Sequence, residues 1–408
     1  MNRTTAIEGD ATRPVAALKT VLPAALCVVS GFLCAFTVSF VGQIPVGELV
    51  LAMVFLWVLL RSIVNRGWPT RMQQLGWYKA LITLVAVMAV GYVASDLYRG
   101  TSGENLARGW ARVGFLGIDL VAIAYLVDGS WARLQATVFA LYVGGSVNAA
   151  LTGPLFEKWW EFGIGYTVTA FVLFICAGRA TVIQVTAALA MAAVSFSQGA
   201  RSLGGICILV AVLFGLRHAR GIIRPLAFLV AAGALASLLL TANSVILQNL
   251  GKEGSTIERR SMIETAGEAF ISSPFIGQGS WFTSSRKMLA QLEERRERLD
   301  PKFHGYSDDQ GRQLSIHSQL MVALAEGGIL GGSFFIFYGA LLLKTLRSLT
   351  RNPVPHRAFV LYLVIAGIWN LCMSPFSGVA RTEICLAICA CLLAIMQRQG
   401  ELPENFSE

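Results

Sequence analysis

Long apolar runs separated by short polar connections dominate the chain. They recur at 20–41, 45–60, 79–96, 113–127, 132–152, 163–178, 180–196, 202–216, 222–241, 315–343, 358–373 and 382–397. A run of about 20 residues suffices for a helix to cross a hydrocarbon core of about 30 Å. The pattern therefore predicts an all-α polytopic membrane protein with about twelve transmembrane helices. No remaining stretch is long enough to bury a core of its own, so residues 1–408 are expected to form a single membrane domain. The first run is too long for a signal-peptide core and no small-residue cleavage site follows it, so it is expected to stay as an anchor.

One segment breaks the rhythm of short connections: a large loop over residues 242–314. A loop of that length inside a compact domain is usually functional. Two helices are legible in it. From Ile257 to Ile271, Met262, Ile263, Ala266, Ala269 and Phe270 recur at helical spacing. Ser272, Ser273 and Pro274 then stop the helix, and Gly277 and Gly279 form a turn. From Ser285 to Leu299, Met288, Leu289, Leu292 and Leu299 make a second stripe beside a dense charged face. Such a helix either lies on the bilayer surface or packs on the loop itself.

Composition agrees with the pattern. The chain is 55% hydrophobic and only 14% charged, against roughly 25% charged in soluble domains. Its net charge of +9 matters through its placement. With the N-terminus inside, the inner segments hold seventeen cations (among them Arg61, Arg66, Arg71, Arg133, Arg217, Arg220, Lys344, Arg347 and Arg351) against six acids. The long loop balances ten cations with ten acids. This is the positive-inside bias, which places both termini in the cytoplasm and the 242–314 loop on the outer side of the membrane. Topology accounts for the basic charge, and nucleic acid is not needed as a partner. All eight cysteines fall in predicted spans, as small buried hydrophobes do. Neither a disulfide framework nor a metal site is expected.

The candidate chemistry lies on the outer side. His317 opens the tenth run in Ser315-Ile316-His317-Ser318-Gln319; it is either an interfacial polar residue or a working imidazole. Glu326, nine residues on and about 13 Å along a helix, faces away from it and reads as a packing anchor beside Gly327, Gly328, Gly331 and Gly332. Arg201 sits in a very short outer connection, Ser197-Gln198-Gly199-Ala200-Arg201-Ser202, just before a helix beginning Leu203-Gly204-Gly205, with Ser202 free to cap; it is an anion site or a snorkelling arginine. Arg259 and Arg260 begin the loop helix against its macrodipole. Glu264 four residues after Arg260 is one partner, an anionic ligand the other. Arg108 and Arg112 share a face headed by the capping box Thr101-Ser102-Gly103-Glu104 and are possible substrate contacts. Glu48, Asp119, Glu326 and Glu383 are candidate buried charges without a repeat, which argues against a secondary transporter.

Three stretches in order make a more specific pattern: the outer connection with Arg201; Glu258-Arg259-Arg260 with Pro274-Phe275-Ile276-Gly277-Gln278-Gly279; and His317-Ser318 followed by Glu326-Gly327-Gly328-Ile329-Leu330-Gly331. Together they resemble the O-antigen ligase and polymerase superfamily of bacterial envelope glycosyltransferases. The family arginine before the Pro-x-x-Gly-x-Gly turn matches Arg260 rather than Arg259, and the family's His-Asn is His317-Ser318 here. The resemblance implies transfer of a glycan from undecaprenyl diphosphate to an acceptor sugar hydroxyl, with no metal, cofactor or nucleotide sugar. Arg201 and Arg260, with Arg259, would hold the diphosphate, and His317 would take the acceptor's proton. The acceptor is lipid A core for a ligase or a lipid-linked glycan for a polymerase. Polymerases often carry Arg-x10-Gly in outer loops; here that spacing runs from Arg133 to Gly144 and starts inside, which favours the ligase.

Overall fold

The computed structural model describes residues 13–39, 43–152, 159–215, 253–284, 286–299, 316–349, 354 and 356–402. Helix α1 (Arg13–Leu33) leads into an antiparallel hairpin, β1 (Thr37–Ser39) and β2 (Gln43–Pro45), with Val38 opposite Ile44. There follow α2 (Val46–Val64), a short α3 (Arg71–Gln74), α4 (Gly76–Arg99), α5 (Gly103–Val127) and α6 (Trp131–Thr152). A π-helical turn, Trp159–Ile164, precedes α7 (Gly165–Ile175), α8 (Thr181–Ser197) and α9 (Arg201–Gly215). The loop contributes α10 (Glu253–Ser272) and α11 (Arg286–Leu299), and the bundle closes with α12 (Gln319–Leu349), α13 (Arg357–Met373) and α14 (Gly378–Arg398).

Among the described residues six helices, α2, α4, α5, α6, α12 and α14, are long and apolar enough to cross a membrane. The apolar part of α1 and all of α7, α8, α9 and α13 are shorter. Eleven predicted runs fall on these helices, while the ninth, 222–241, lies outside the described residues. Several boundaries differ from expectation, most of all at α5, which begins at Gly103 rather than at 113. The first helix ends at Leu33 because the chain turns into the hairpin, and the tenth begins at Gln319, leaving His317 and Ser318 ahead of it. Leu56, Trp57 and Leu60 on α2, Val90 on α4, Phe171 on α7 and Leu343 on α12 are all exposed. In water such a belt would be a liability; facing lipid tails it is the expected surface. Helix α14 is the opposite case, 83% buried along its apolar window, and forms the centre of an all-α membrane-embedded bundle.

Packing fixes which helix ends lie together. The Arg357 guanidinium, at the start of α13, stands 5.6 Å over the Phe214 ring near the end of α9. The two helices therefore run antiparallel, and the start of α9 lies level with the end of α13. Ser318 donates to the Leu371 carbonyl at 3.2 Å, so the start of α12 reaches the same end. This is the end that carries the loop helices. Ser318 also accepts from the Met321 amide at 3.3 Å and so caps α12, a role that asparagine fills equally well.

Helix α12 breaks at Gly328, where φ is 64°. The loop turn fills the break. The amides of Gln278 and Gly279 donate to the carbonyls of Ala325 (2.8 Å) and Glu326 (3.1 Å), and the Ile329 amide donates to the Pro274 carbonyl at 2.8 Å. Backbone groups that a broken helix leaves open are thus paired by the Pro274–Gly279 stretch. Gly277, at φ 79°, has no room for a side chain because a Cβ would strike the Glu326 carbonyl. On the other face, Gly91 of α4 packs against α12 so closely that a Cβ would lie 2.8 Å from the Gly331 amide.

Candidate functional site

Four helix starts and one helix end converge at the loop end of the bundle. Arg201 is the first residue of α9, so Ser202 lies inside the first turn rather than at the cap. Because α10 starts at Glu253, Arg259 and Arg260 lie about two turns in rather than at its first residues, and the charge of Arg259 reaches His317 and Tyr166 at the start of α7. Asn370 near the end of α13 donates to the Glu383 carboxylate of α14 at 2.9 Å and accepts from the Ser374 hydroxyl at 2.8 Å. Gln319 opens α12 fully buried, with neither amide atom partnered among the described residues.

The candidate cations separate into two groups. Arg260 donates to Glu264 at 2.7 Å, the local partner its spacing allowed. Arg108 pairs with Glu104 and lies 5.9 Å from the Trp281 ring. Helix α5 is headed by Ser102 without a side-chain cap, so the expected capping box does not form and Glu104 serves Arg108 instead. Arg112 is buried and paired with Glu326, its guanidinium packed over Tyr92, Trp281 and Phe376. By contrast, among the described residues no hydrogen bond or ion pair engages the guanidinium of Arg201, and the buried Nε of Arg259 has no partner.

Glu326 is the hub that holds this end together. Besides Arg112 it accepts from the Tyr92 hydroxyl at 3.0 Å and the Trp281 amide at 2.8 Å. Next to it, Asp96 accepts from the Ser280 amide and hydroxyl at 2.6 and 2.8 Å and from the Trp110 indole at 2.9 Å. Trp281 sits at φ 55°, a left-handed conformation that a large side chain adopts only when its surroundings hold it there. The packing role read for Glu326 is therefore the one it fills. Tyr92, Asp96 and Trp281 escaped sequence reasoning; Asp96, a carboxylate near the end of an apolar run, was the available signal.

The second loop helix packs on the first. Leu292 of α11 is buried in a closed space with Met262, Thr265, Thr283 and Ile316, and Arg295 pairs with Glu264 and Glu268 while Arg296 pairs with Glu258. Of the two readings of α11, this is the helix packed on the loop itself.

An open cleft of about 520 Å³ lies nearby, lined mainly by apolar surface, with Tyr142, Asn148, Thr152, Tyr166 and Glu383 among its lining residues. Tyr166 belongs both to the cleft and to the neighbourhood of Arg259. Burial, and then the charge of Arg259, push the His317 imidazole down to about 4. It is therefore neutral at neutral pH and able to accept a proton. A neutral base within reach of a partly free guanidinium can, together with it, bind an anion and take a proton from a neighbouring hydroxyl.

No family model matches the chain, and no curated protein matches its sequence.

Proposed function

We propose that the protein is a membrane glycosyltransferase that moves a glycan from undecaprenyl diphosphate onto an acceptor sugar hydroxyl. What supports this reading is a His317 imidazole within reach of the Arg259 charge, a charge that also reaches Tyr166 on the wall of an apolar cleft, with Arg201 starting α9 at the same end of the bundle. The interlock of the Pro274–Gly279 turn with the break at Gly328 adds support, because it joins two of the stretches that resemble O-antigen ligases. In this reading the bond from the anomeric carbon to the diphosphate oxygen breaks and its electrons stay with the diphosphate. Arg259 and Arg201 stabilise that charge in a partly dry site, and Arg260 adds to it from its pair with Glu264. The acceptor oxygen bonds to the anomeric carbon and passes its proton to His317. The apolar cleft offers a path for membrane lipid. The reaction needs no metal or other cofactor.

Lipid A core is the proposed acceptor. Arg133, the head of the Arg-x10-Gly spacing, is engaged at the opposite end of the bundle by the Leu126 carbonyl at 2.9 Å, away from the convergence. The full picture is a protein of the bacterial inner membrane with twelve crossings, cytoplasmic termini and the loop end in the periplasm. The test is transfer by the purified protein in nanodiscs, supplied with an undecaprenyl-diphosphate-linked glycan and EDTA. Product on lipid A core is expected. Product only on a second lipid-linked glycan would make the protein a polymerase, and no product on either acceptor would overturn the reading.

A further inference from the structure

Glu48, Asp119 and Arg381 lie far apart in sequence and meet inside the bundle. Glu48 is in the first turn of α2, Asp119 in α5 and Arg381 in the first turn of α14, at 0%, 0% and 5% exposure. Arg381 donates through Nε and Nη2 to the two oxygens of Glu48, each at 2.7 Å. Asp119 faces the Glu48 carboxyl and the Thr382 hydroxyl. Neither Asp119 oxygen accepts from a described N–H or O–H, and the buried Thr382 hydroxyl is likewise without a partner. Cys34 beyond the end of α1 and Cys385 of α14 are the other titratable groups facing this space. It is tightly enclosed: a Cβ on Gly47 would lie 2.6 Å from the Cys34 amide.

Two ionised carboxylates against one guanidinium would leave a net negative charge sealed from water, which is costly without a compensating positive charge. Arg381 already spends its fork on Glu48, so the missing charge belongs on the Asp119 side. We propose that Asp119 and Glu48 form a proton-binding site, in which one proton is shared between the two carboxyl groups and Arg381 balances the remaining charge. The proton supplies the hydrogen bond that Asp119 otherwise lacks and leaves the cluster neutral. It joins α2, α5 and α14 on the turn that, two residues further on, presents Glu383 to the cleft.

Infrared spectroscopy of the full-length protein in nanodiscs tests this. At neutral pH the parent should show a protonated-carboxyl C=O band that is lost in Asp119→Asn. The amide keeps the shape of the carboxyl and an N–H donor towards Glu48, so this variant should fold with the parent's thermal midpoint at neutral pH. On alkaline titration the parent should lose the band and its midpoint should fall, because a proton held only in the folded state stabilises below its release and not above it. The variant's midpoint should lack that fall. Equal bands in parent and variant, or a parent midpoint indifferent to alkali, would overturn the proposal. A variant that fails to fold would do so too, since its shape and donor are retained. A sodium-dependent rise in the parent's midpoint that the variant lacks would also overturn it, by making the occupant a metal cation.

Discussion

Adjacent arginines with the same charge have different surroundings. Arg260 is tied to Glu264 at 2.7 Å, while Arg259 acts on His317 and Tyr166. Sequence spacing favoured Arg260, because a motif counts residues and does not see which helix face turns inward. The neighbour matters for the base as well. His317 is pushed down to about 4 by burial and by Arg259, so its neutral, proton-accepting form persists well below its ordinary range. In the free enzyme kcat/KM should therefore hold steady as pH falls and decline only near pH 4. A diphosphate on Arg259 would neutralise one cause of the shift, so the acid limb of kcat, which reports the bound complex, should lie at higher pH than that of kcat/KM. Paired pH–rate profiles check this. Coincident limbs would mean that Arg259 does not act on His317.

At the scale of elements, helix existence was legible and helix junctions were not. Apolar runs announced eleven of the described helices because lipid demands length and hydrophobicity, and both loop helices followed from their stripes. The break at Gly328 was hidden, because a glycine in an apolar run reads equally as a packing residue. Its cause lies some fifty residues earlier, in the turn whose amides serve the open carbonyls of Ala325 and Glu326. The packing role of Glu326 was legible, but its partners Arg112, Tyr92 and Trp281 come from other elements and left no local pattern. Two substitutions test this junction. Arg112→Ala leaves a buried carboxylate unpaired and should cost about 3–5 kcal/mol. Gly277→Ala should cost at least about 1–2 kcal/mol from its left-handed φ alone, before the collision with the Glu326 carbonyl. Thermal unfolding in detergent measures both. Parent-like midpoints would show that the loop turn does not depend on this junction.

For the whole molecule, the account joins a membrane bundle to a site at one of its ends. The proposed side of that end rests on charge placement in the sequence, seventeen cations against six acids in the segments assigned to the inner side, and is testable by itself. Reporters fused after Arg66 and Arg351 should read cytoplasmic, and one near Gly305 periplasmic; a cytoplasmic Gly305 would put the site on the wrong side for the proposed donor. The most direct test of the central claim measures donor affinity and turnover for four variants in nanodiscs. Arg259→Ala and Arg201→Ala should weaken stabilisation of the diphosphate by about 2.7–4 kcal/mol each, and Arg260→Ala by less, since Glu264 already shares its charge. His317→Ala should lose about 10²–10⁴-fold in rate while binding the donor as the parent does. Normal turnover by His317→Ala, or donor binding lost in that variant and kept in Arg259→Ala and Arg201→Ala, would contradict the account.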